Sequence, residues 1–135
     1  TDTVGRRAMT RSEITLDRYE WGVTCFIGYD EEDVGEICDA LEEIGCEYDA
    51  LFEARRHLAK DSDERGLTYS NVRLRQSVVA IGRSPSHASM ANTIGHELFH
   101  VVAHVCGSDG IDIQSEEPCY IMGELCEKVM VVFAK

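Results

Sequence analysis

The chain is poor in basic residues, in proline and in long apolar runs, and each shortage excludes a class of protein. Its 13 lysines and arginines face 25 acidic side chains, leaving a formal charge of −12. Such a surface repels a phosphate backbone, and no basic cluster interleaved with aromatics offsets it, so no nucleic-acid partner is expected. The longest apolar stretch, residues 129–134, falls far short of the roughly 20 residues that span a bilayer, so no membrane partner is expected either. With 2 prolines and 44% hydrophobic residues, the composition is that of a folding chain and not of a disordered one. None of the six cysteines forms a Cys-x-x-Cys pair. Several lie in apolar helical patterns, so they read as buried free thiols, which favours a reducing, cytoplasmic setting.

At 135 residues the chain suits one domain, since two cores would each be too small to hold together. Residues 1–17 are polar and aperiodic and read as a flexible leader; residues 18–135 read as the domain. Residues 21–29, rich in β-branched and aromatic side chains, predict a strand in which Trp21, Phe26 and Tyr29 serve as core. Val34, Ile37, Cys38, Leu41 and Ile44 recur at helical spacing before Gly45, and residues 48–60 suggest a second helix. A charged loop at 61–66 precedes one or two strands across 67–82. A long helix is expected over residues 88–106 with Gly107 just beyond it, and a last helix, capped by Ser115, opens on Glu116, Glu117 and Pro118.

The long helix carries His96, Glu97, Leu98, Phe99 and His100, a His-Glu-x-x-His pattern. Two imidazoles four residues apart project from one helical face and can reach one zinc ion. Glu97 stands beside that face without being a ligand. It is placed to act as general base, taking a proton from a zinc-bound water and passing it to a leaving amine. A catalytic zinc site needs a third protein ligand. His104 is too far along the helix axis to close one tetrahedron, about 12 Å from His96 at 1.5 Å per residue. Glu116 shares a face with Tyr120 and Gly123, whose lack of a side chain would allow a close approach to the histidine helix. Glu117 instead shares its stripe with Ile121 and Leu125, which read as core. Glu116 is therefore the favoured third ligand, with Glu117 the alternative.

His96 to His100, followed by Glu116, Cys119, Tyr120 and Gly123, resembles the gluzincin metallopeptidases, and the brevity of the chain is similar to their minimal, minigluzincin-like members, including phage and mobile-element types. The resemblance covers residues 77–130. It implies an α+β, zincin-like fold in which a small mixed sheet supports the active-site helix beside a glutamate-bearing C-terminal helix. It implies one zinc ion per chain and a peptide or protein substrate, bound as an added strand near residues 77–82. A non-catalytic zinc-binding interaction domain on the same scaffold is the alternative function.

Overall fold

The structure, a computed structural model, describes residues 8–59 and 66–133. The architecture is α+β: a four-stranded mixed sheet lies between two pairs of helices. Strand β1 (Thr10–Leu16) turns through a short 3₁₀ segment into β2 (Trp21–Tyr29). Helices α1 (Val34–Glu43) and α2 (Tyr48–Leu58) follow, then β3 (Gly66–Asn71), β4 (Gln76–Gly82), the long α3 (His87–Asp109) and α4 (Glu117–Phe133). The strand order is β1-β2-β4-β3, with β2 and β4 parallel at the centre and an antiparallel strand on each edge.

The central strands are apolar on both faces because both faces are covered. Val23, Cys25 and Ile27 of β2 and Val79 and Ile81 of β4 pack against Leu98, Val101, Val102 and Val105 of α3 and Ile121, Leu125 and Val129 of α4. On the other face Phe26, Tyr29, Val78 and Ala80 meet Val34, Ile37, Cys38 and Leu41 of α1 and Ala54 and Leu58 of α2. Trp21, Phe26 and Tyr29 are fully buried, which makes them core, as their alternation suggests.

Four boundaries differ from the sequence reading, each for a local reason. Residues 10–16, read as leader, form an edge strand: Ile14 and Leu16 bury inward while Arg11, Glu13 and Thr15 face water, too short an alternation to stand out. Residues 1–7 lie outside the described residues, as does most of the 61–66 loop. Helix α3 passes through Gly107 and stops at Gly110, whose φ of +67° supplies the left-handed turn. Ser115 does not cap α4: its hydroxyl donates to Asp112 O, and the main-chain carbonyl of Glu116 accepts from Cys119 and Tyr120 instead. Finally, β4 lies inside the sheet, so among the described residues the edge strand beside α3 is β3 and not residues 77–82.

Candidate metal centre

Helix α3 places the motif by its core stripe. Leu98, Val101, Val102 and Val105 are fully buried, which turns His96 and His100 outward onto an exposed flank. Ser86 starts the helix by accepting a hydrogen bond from Ser89 N at 3.0 Å. The two imidazoles converge: their Nε2 atoms stand 3.3 Å apart, with ring centroids 4.9 Å apart and nearly perpendicular. An ion bound tetrahedrally at ordinary zinc–nitrogen distances would hold two such nitrogens about 3.3 Å apart. The pair therefore fits two vertices of a zinc site.

Glu97 faces the opposite way from a surface residue. It is 7% exposed and lies in the seam between α3 and the edge strand β3. Strand alternation builds that seam: Leu67 and Tyr69 pack on the α1–α2 core, while Gly66, Thr68 and Ser70 face α3. Thr68 Oγ1 donates to Glu97 Oε1 at 2.8 Å and lies 3.0 Å from the Glu97 main-chain oxygen. At Gly66 the strand comes so close that an added Cβ would sit 2.7 Å from Glu97 Oε2 and 2.9 Å from Thr93 Cγ2. One carboxylate oxygen is thus tied to the sheet, and the other lies over bare glycine backbone.

Further along the seam, Ser70 Oγ lies 2.6 Å from His104 Nδ1 and 2.6 Å from Ser77 Oγ, which accepts from Trp21 Nε1 at 2.9 Å. An indole can only donate, so the chain of hydroxyls runs consistently from Trp21 through Ser77 and Ser70 to His104. Burial, and then the neighbouring His100, push the His104 imidazole below its ordinary value. His104 is a seam residue, 6.3 Å from the His100 ring between centroids.

The structure brings His96 and His100 together, sets Glu97 behind them on the wall of a cavity that His96 also lines, and leaves Glu116 apart. Glu116 is exposed at the start of α4, and no group of three His, Cys, Asp or Glu side chains that could hold a metal occurs among the described residues. The face of α4 that carries Glu116, Tyr120 and Gly123 is turned to solvent: Tyr120 is 70% exposed and nothing lies within 4 Å of a Cβ built on Gly123. Gly123 therefore makes no close helix contact, because α4 docks through Ile121, Leu125 and Val129. Glu117, on that inner stripe, accepts from Tyr19 Oη at 2.5 Å; burial and this bond push the phenol up to about 12.

Sequence reasoning missed the residues that surround the motif. His57 of α2, with Gly66, Asn92, Thr93, His96 and Glu97, lines a cavity of about 180 Å³. The His57 Nε2 stands 2.7 Å from Gly66 O. His57 sits in an unremarkable amphipathic helix and carries no motif; only the sheet brings it to the histidine pair. A larger cleft of about 400 Å³ between α3 and α4 is walled mainly by His87, Met90, Ile94, Val129 and Met130 and lies on the far side of α3 from His96 and His100.

Four of the cysteines are buried, Cys119 is exposed and Cys126 is partly so, and all six are free thiols. Among the described residues no helix is long and apolar enough to cross a membrane. No family of known proteins, no curated protein and no solved structure matches this chain.

Proposed function

We propose that the protein is a zinc-dependent metallopeptidase of gluzincin type, with a zincin-like arrangement of sheet and active-site helix. The observation that carries the reading is the 3.3 Å approach of the His96 and His100 Nε2 atoms, beside a buried carboxylate held by the sheet. His96 and His100 would hold the ion; Glu116, the third donor proposed from the sequence, stands apart from them in the structure, so only two of the three donors are in place. Zinc in such a set supplies Lewis acidity toward a carbonyl oxygen and a nucleophilic water at neutral pH.

The remaining roles follow from the chain's own groups. Thr68 occupies Glu97 Oε1, so Oε2 is the oxygen left to take and return a proton. The seam that buries Glu97 also excludes water from one side of it, which strengthens its interaction with a reacting group. The face of edge strand β3 lies directly against this carboxylate, so an extended peptide pairing with that strand would run near the site.

A non-catalytic zinc-binding module is the competing reading, favoured by the exposure of both imidazoles and of Phe99, half exposed between them. The test combines elemental analysis with hydrolysis of quenched fluorescent casein. The peptidase reading expects about one zinc per chain, lost in His96→Ala and His100→Ala, and activity lost in Glu97→Gln with zinc retained. Zinc without activity in the wild type selects the binding module; no zinc after reconstitution removes both.

A further inference from the structure

The 3.3 Å spacing of the His96 and His100 Nε2 atoms suits two vertices of a zinc tetrahedron, which takes four donors. Both rings are exposed, on the flank of α3 turned away from its buried stripe of Leu98, Val101, Val102 and Val105, so a partner as large as a protein can reach them. Among the described residues no third His, Cys, Asp or Glu side chain joins the pair. The surroundings on α3 are also distinctive. In a chain of net charge −12, the helix carries a single carboxylate between His87 and Ser108, Glu97, and that one is buried. Its exposed positions include Ala88, Asn92, His96, Phe99, His100 and Gly107, none of them acidic.

A second copy of the chain supplies what the pair lacks. An interface about a twofold axis is self-complementary, so one patch needs only itself, and an identical pair of imidazoles brings the donors to four nitrogens. Two such acidic chains repel each other over most of their surfaces, but along this flank α3 sets no carboxylate against its twin. Neutral imidazoles also leave the charge of the ion in place between two negative molecules. Phe99, 50% exposed beside the pair, gains apolar cover in the same encounter. One helix flank from each copy buries far less than the roughly 1,000 Å² of a stable interface, so association depends on the metal.

We propose that zinc bridges two copies of this chain through His96 and His100 of each whenever protein is in excess over metal. The inference rests on the reading of these histidines as zinc ligands, and it follows from Glu116 standing apart from them. In the bridged pair four imidazoles fill the tetrahedron, so it is a resting form with no position left for a peptide carbonyl. Excess zinc divides it into single chains, each with its own ion.

The test titrates zinc into the metal-free full chain and follows its mass by sedimentation. The mass is expected to double, to peak at one zinc per two chains, to fall again in excess zinc and to return to that of the monomer with a chelator. The zinc X-ray absorption spectrum of the half-loaded protein should count four imidazoles. Phe99→Ser leaves both histidines in place; it should keep one zinc per chain in excess metal while weakening the dimer at least tenfold, since each copy loses a buried aromatic contact. A monomer at every ratio, taking up one zinc per chain from the first addition, overturns the proposal and leaves the zinc reading standing. A dimer indifferent to zinc and chelator overturns it as well. No zinc uptake at any ratio removes the zinc reading and the bridge together.

Discussion

Thr68 and Glu97 are joined by a 2.8 Å hydrogen bond that crosses from the edge strand to the motif helix, and it is this bond that assigns different roles to the two carboxylate oxygens. Thr68→Val keeps the shape and removes the donor. A buried carboxylate oxygen left without its partner costs about 1–3 kcal/mol, so thermal unfolding should fall by several degrees. Zinc content should not change, because neither imidazole touches Thr68. Casein hydrolysis should drop, in kcat more than in KM, since the carboxylate is no longer oriented. A variant with wild-type kcat would remove Thr68 from the positioning of Glu97.

Gly66→Ala tests the same seam from the other side. The new Cβ would stand 2.7 Å from Glu97 Oε2 and 3.0 Å from Glu97 Cγ, so either strand or carboxylate must shift. Overpacking of this kind costs about 1–3 kcal/mol. Denaturant titration should show the loss of stability, and hydrolysis should fall further than in Thr68→Val, because the displaced oxygen is the open one. Unchanged stability would mean that β3 moves away at no cost.

How far the site could be read in the sequence depends on what kind of contact made it. The convergence of His96 and His100 was legible because a helix puts i and i+4 on one face whatever surrounds it, and Leu98 marked which face is inside. Gly66, Thr68 and His57 were not, because a polar edge strand and a histidine in a surface helix have no periodic signal; their roles exist only once β3 docks on α3. The same applies to β1, which has two inward apolar residues and gains its identity from pairing with β2. The expectation about Gly123 failed for a related reason. A glycine permits a close approach without requiring one, and the apolar stripe of Ile121, Leu125 and Val129 decided which side of α4 meets the sheet.

The thiols give a chemical check on burial. Cys25 is fully enclosed and its thiol is pushed up to about 12 by that burial, so it should be inert to an aromatic disulfide reagent in the native protein. Cys119 is exposed and Cys126 partly so. Cys119 should react first, Cys126 more slowly, and the four buried thiols only after unfolding in denaturant. Rapid labelling of Cys25 or Cys106 under native conditions would contradict the packing of the sheet against α3 and α4.

Acid stability should carry the signature of Arg75, which fastens the turn before β4 to the end of α3. Its guanidinium makes two bonds to Asp109, at 2.9 and 2.8 Å, two to the Tyr19 carbonyl, and lies 5.0 Å from the centre of the Trp21 ring. Arg75 adopts a φ of +57°, so this grip also secures a strained backbone position. The hydrogen bond from Arg75 holds the Asp109 carboxyl below its usual value of 3.8. A carboxyl depressed in the folded state contributes stability that is complete above the unfolded value and is lost as pH falls through the folded one. Asp109→Asn should therefore be less stable than the wild type at neutral pH, with the difference shrinking below pH 3.8. Both ends of the pair are partly exposed, so the difference should be small and weaker at high salt. The emission of Trp21, the only tryptophan in the chain, reports the transition directly, and a stability gap between the two proteins that stayed constant down to pH 2 would dissociate Asp109 from the effect.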